Sequence, residues 1–104
     1  MAKFLFAYRG GAGMAQTPAE RDKSMAAWGA WFGTLGAAIV DPGAPFGAST
    51  SVEKKGTGAA ASALGGYSVV TADSLDAAAK LATGCPIVGE GGSVDVYDCI
   101  EMNM

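Results

Sequence analysis

From Lys3 to Arg9 (KFLFAYR) apolar residues occupy both parities of an extended chain. Phe4, Phe6 and Tyr8 point one way, and Leu5 and Ala7 the other. A strand apolar on both faces is expected to be covered on both. Gly10 to Gln16 (GGAGMAQ) carries no phosphate-binding glycine pattern and reads as a strand-to-helix loop. At Thr17 the period changes. Met25, Trp28, Phe32 and Leu35 recur at helical spacing, extended by a turn to Arg21. Thr17 is a natural N-cap, Pro18 fits the first helical position and Glu20 completes a capping box. Gly36 is the expected stop.

Beyond it, Ala37 to Val40 predicts a short strand ending at Asp41, followed by turn chemistry in DPGAPFG (Asp41 to Gly47). Ala48 to Lys55 reads as an edge strand or extended loop. Gly56 to Gly66 reads as a hairpin tip or loop, whose AAASAL core could form a single helical turn. Tyr67 to Ala72 (YSVVTA) is a β-branched strand. Asp73 or Ser74 then caps a second helix from about Leu75 to Thr83, packing through Leu75, Ala78, Ala79 and Ala82 and ended by Gly84 and Pro86. Pro86 to Gly92 reads as a turn-rich connection. Ser93 to Met102 is the last strand, with Val94, Val96, Asp98, Ile100 and Met102 on one face and Asp95, Tyr97, Cys99 and Glu101 on the other.

Two βαβ-like halves predict an α+β, ferredoxin-like sandwich (βαβ-βαβ). Both helices then cover one sheet face. The other face carries apolar and aromatic side chains and needs its own cover, most economically a second copy of the chain with sheets facing each other. The composition agrees. In 104 residues there is room for one domain, 1–104, and only 16% of them are charged. A net charge of −3 with scattered Lys and Arg argues against nucleic acid, and no apolar run approaches the roughly 20 residues that span a bilayer. The N-terminal apolar run is too short for a signal peptide, so a cytoplasmic location is expected, with Cys85 and Cys99 as reduced, buried thiols. The sequence has no histidine. That removes the usual general base and the commonest metal ligand; no metal site and no cofactor are expected.

Chemistry then falls to a few side chains, each open to two readings. Arg9, at a strand end, is either a carboxylate-binding fork or an exposed strand-end cation. Asp41 is either a general base in a cleft or an Asx-turn residue. Asp98, the odd acid on an apolar face, is either a buried proton-transfer group or one turned to solvent or to a basic partner such as Arg9 or Lys3. Trp28, Phe32, Phe46, Tyr67 and Tyr97 either wall a pocket for a planar ligand or serve core and dimer packing. Met102 and Met104 read as edge packing.

The opening FLFAYRGG, the tryptophan-bearing helix, LGAAIVDPGAPFG and the closing GYSVVTADSLDAAAKLATGCPIVGEGGSVDVYDCIEM together resemble the YCII-related, DGPF-type family of the dimeric α+β barrel superfamily. The likeness covers nearly the whole chain. The family's DGPF turn is matched loosely, by Asp41 to Phe46 with residues inserted. The resemblance implies a ferredoxin-like subunit in a homodimer. Some relatives are lyases or isomerases thought to use a His–Asp pair, with the histidine on the first helix near the place of Met25 here. Lacking histidine, this chain cannot work in that way. Two functions stay open. One is a small-molecule-binding protein taking a small planar or acidic ligand between the first helix and the sheet. Carboxylate-mediated lyase or isomerase chemistry at Asp41 or Asp98 could accompany it, with Arg9, Trp28, Phe46 and Tyr97 as binding residues. The other is a non-catalytic dimeric scaffold or regulatory module. A walled, partly polar cavity favours the first, and a cavity filled by Trp28 and its neighbours favours the second.

Overall fold

A computed structural model describes residues 2–10, 17–58 and 64–102. In chain order the elements are β1 (Ala2–Arg9), α1 (Pro18–Leu35), one 3-10 turn (Gly36–Ala38) and β2 (Ile39–Pro45). There follow β3 (Ser51–Glu53), β4 (Gly56–Gly58), β5 (Leu64–Ala72), α2 (Leu75–Ala82), α3 (Pro86–Gly89) and β6 (Ser93–Cys99). The main sheet has the order β2-β5-β1-β6, antiparallel throughout, and β3 with β4 forms a separate hairpin. Each helical connection carries the chain past one intervening strand, which is the ferredoxin-like α+β topology read from the sequence.

The core lies between one sheet face and the helices. Phe4, Phe6 and Tyr8 of β1 and Ser68, Val70 and Ala72 of β5 meet Trp31 and Leu35 of α1, Ala78 and Ala82 of α2, Cys85, and Ile87 of α3. Phe6 and Val70 are wholly buried, each stabilising the fold by roughly 1.5–3 kcal/mol. The Phe6 and Trp31 rings stack at 6.1 Å, and the Trp31 indole N–H donates to the Leu81 carbonyl at 3.1 Å, anchoring α1 to α2. Thr17 caps α1 as expected, its hydroxyl accepting from the Glu20 N–H at 3.1 Å.

Several expectations change. The inward stripe of α1 is Trp28, Trp31, Phe32 and Leu35, whereas Met25 is 67% exposed. On α2, Ala78 and Ala82 are buried and Ala77 and Leu81 pack beside them, while Leu75 and Ala79 are exposed. DPGAP is strand, not turn: β2 runs on to Pro45 through two register shifts against β5. An edge strand tolerates prolines because its outer N–H groups need no ladder partner. Pro86 opens the helical turn α3 instead of a loose connection. The last strand stops at Cys99, because β1, its partner, has begun by Lys3; Ile100 and Met102 are consequently exposed. Cys85 is buried but Cys99 is exposed, and both are free thiols. The loop expected at Gly10 to Gln16 and the helical turn considered for Ala59 to Leu64 fall largely outside the described residues, as does Met104.

Candidate ligand cleft between the first helix and the sheet

The bulged stretch of β2 creates the site. Asp41 lies opposite Val69 and Ala44 opposite Tyr67, so β2 carries one extra residue here. Gly43 takes φ +76°, and a Cβ placed on it would come within 1.7 Å of the Tyr67 carbonyl oxygen, so only glycine fits. Asp41 holds the bulge: one carboxylate oxygen accepts from the Gly43 N–H (2.9 Å) and the other from the Tyr67 hydroxyl (3.2 Å). This is the Asx-type turn role considered for it. The Asp41 charge, and then its hydrogen bond, raise the Tyr67 pKa.

A second hydroxyl chain pins the same segment from the core side. The Tyr8 hydroxyl donates to Ser68 Oγ (2.7 Å), which donates to the Pro42 carbonyl (2.7 Å). Both side chains are buried, and burial pushes the Tyr8 phenol up to about 12, opposed by the Ser68 hydrogen bond and slightly reinforced by Cys85. Burial likewise pushes the Cys85 thiol up to about 11, where it is inert as a nucleophile; a backbone hydrogen bond at Ile87 opposes the rise and Glu90 adds to it.

Between this segment and α1 lies an open cleft of about 550 Å³. Ser24, Trp28 and Phe32 of α1 form one wall, and Pro42 to Phe46 with Gly65 to Ser68 form the other. Tyr8, Gly10, Ile87 and Glu90 complete the lining among the described residues. The aromatic groups brace one another: Tyr8 meets Trp28 edge-on at 5.0 Å, Trp28 meets Phe32 at 5.9 Å, and Phe46 stacks on Tyr67 at 5.9 Å.

The structure thus brings Trp28, Phe32, Phe46 and Tyr67 to one cleft, while Asp41, bonded to the Tyr67 hydroxyl, is outside the lining. It does not bring the others there. Arg9 forms an ion pair with Asp95 (3.0 Å) across the opposite sheet face, and Tyr97 is 55% exposed on that face. Asp98 lies opposite Phe4 on the helix side, but next to the end of the edge strand β6, beyond the packed Val94 and Val96, and it is exposed. Its pairing with Arg9 does not occur, since Asp95 takes that arginine. Tyr8, Ser68 and Glu90 are among the lining residues that sequence reasoning missed. Ser68 carried a signal, being the polar residue in the inward register of a β-branched strand. Glu90 carried none.

A four-stranded antiparallel sheet with its helices on one face and a cleft under the first helix defines the class: a ferredoxin-like α+β domain. The family model for the YCII-related domain matches residues 5–103, nearly the whole chain, and the protein belongs to that family. Among curated proteins and among solved structures nothing matches the chain. Among the described residues no helix is long and apolar enough to cross a membrane.

Proposed function

We propose that this YCII-related domain binds a small, planar, largely apolar molecule in the cleft between α1 and the bulged edge of the sheet. The observation that carries the reading is the cleft itself. Trp28 and its neighbours wall about 550 Å³ without filling it, and a few polar groups converge on an otherwise apolar lining. Of the two acids considered for proton transfer, Asp98 is exposed outside the cleft and Asp41 is bonded to the Tyr67 hydroxyl outside the lining; the carboxylate in the lining is Glu90. Both oxygens of Asp41 are engaged in holding the bulge, which favours binding over proton transfer.

The test uses 1-naphthalenemethanol as the probe, in millimolar excess, with thermal unfolding as readout. Binding to the native state raises the melting temperature by mass action. Ser24→Phe, which places a ring in the cleft from α1, should abolish the rise while leaving the unliganded protein folded. No rise in the parent protein, or an equal rise in Ser24→Phe, contradicts the reading.

The homodimer belongs to the same proposal. Leu5, Val69 and Tyr97 lie in one row across the sheet face that no helix covers. A second copy laid sheet to sheet would remove that row from water.

A further inference from the structure

The geometry points to a cationic aromatic ligand, an aryl or arylalkyl ammonium ion, as the class this cleft selects. The inference rests on the cleft being a binding site and concerns what it discriminates. Among the described residues, Glu90 is the one charged residue in the lining. The chain has seven Lys and Arg, all within the described residues, and none of them lines the cleft. Arg9 is committed to Asp95 on the opposite sheet face. Arg21, a turn before Ser24 on α1, is exposed and outside the lining. Residues 1, 11–16, 59–63 and 103–104, outside the description, have no charged side chain.

What the cleft offers a charged ligand is therefore uniformly of one sign. The faces of aromatic rings are negative, and Tyr8, Trp28, Phe32 and Phe46 all line the space. The Glu90 carboxylate supplies a formal counter-charge to an ammonium group. A carboxylate ligand would give up its hydration for a site with no cation to replace it. The planar ligand expected from the sequence keeps its ring; the acidic group also expected there is replaced by a basic one.

Three naphthalenes matched in shape test this by calorimetric titration of the full chain: 1-naphthylmethylammonium, 1-naphthalenemethanol and 1-naphthoate. The ammonium ion should bind about tenfold more tightly than the alcohol, and the carboxylate most weakly. Raising the salt concentration should weaken the ammonium ion alone. Glu90→Gln, nearly isosteric at an exposed position, should cut the preference for ammonium over alcohol several-fold. Equal affinity for ammonium and alcohol, or a preference untouched by Glu90→Gln, overturns the charge selection while leaving the cleft a binding site. Tightest binding of naphthoate also overturns it, and its loss in Arg21→Ala would assign the anion to that side chain. Failure of all three probes overturns both this inference and the binding reading beneath it.

Discussion

Ser68→Ala should cost more stability than Tyr8→Phe, although the two residues share one hydrogen bond. Both lie in the core, at 1% and 5% exposure. Tyr8→Phe removes a donor at the head of the chain. Ser68 keeps its bond to the Pro42 carbonyl, and no buried group loses its only partner. The expected loss is that of one hydrogen bond, about 0.5–1.5 kcal/mol. Ser68→Ala removes the middle. It strands the Tyr8 hydroxyl and the Pro42 carbonyl together, each at about 1–3 kcal/mol when fully buried. The cleft abuts both Tyr8 and Ser68, so water can reach part of the gap and brings the total to about 2–3 kcal/mol. In the double variant only the carbonyl is stranded, so its cost should fall short of the sum by about 1 kcal/mol. Urea unfolding at pH 7, followed by tryptophan fluorescence and far-ultraviolet dichroism, measures all four proteins. Additivity within about 0.3 kcal/mol, or a Ser68→Ala no worse than Tyr8→Phe, would refute the shared chain.

Alkaline pH should destabilise the fold through the same region. Tyr8 and Cys85 have folded pKa values near 12 and 11, raised from 10.0 and 9.0. Their neutral forms stabilise the native state fully below about pH 9, and that contribution is lost as pH rises from 9 to 12. Two units in each correspond to at most about 3 kcal/mol per group. The urea midpoint should drop between pH 8 and pH 11, and less steeply in Tyr8→Phe and Cys85→Ala; parallel profiles in all three would contradict the assignment. Sedimentation equilibrium should give twice the chain mass, and Leu5→Arg, which puts a charge at the centre of the uncovered sheet face, should halve it. A parent protein that sediments as a monomer removes the facing-sheet dimer.

Much of this fold is written locally. Thr17 and Pro18 start α1 and Ser74 starts α2 through bonds to residues three positions on, so sequence spacing finds them. The alternation of β1 is equally local, and it places Phe4, Phe6 and Tyr8 correctly on one face. The face of α1 is not. Trp31 and Phe32 flank the same stripe, and only the sheet, distant in sequence, selects Trp31 for burial and leaves Met25 in water. Asp98 shows the same limit: alternation puts it inward with Val94 and Val96, but whether helices extend over that edge is a tertiary matter.

The cleft was half legible. Its aromatic residues stand out in the sequence because a turn-borne Phe46 and a helix-borne Trp28 need partners. Its shape depends on β2 continuing as a bulged strand through Pro42 and Gly43, where local chemistry reads as a turn. The bulge is fixed by Tyr67 and Ser68, some 26 residues away from Asp41 and Pro42. Glu90 reaches the lining only because α3 forms, which in turn depends on Pro86 starting a helix rather than ending one.

The occupancy of the cleft is most directly read from the two indole N–H resonances of the protein on adding 1-naphthalenemethanol. Trp28 lines the cleft, while the Trp31 indole is bonded to Leu81 outside the lining. Binding between α1 and the bulged strand shifts the Trp28 resonance in a saturable way and leaves that of Trp31 nearly in place. No saturable shift of Trp28, or an equal movement of both, would contradict a ligand site in this cleft.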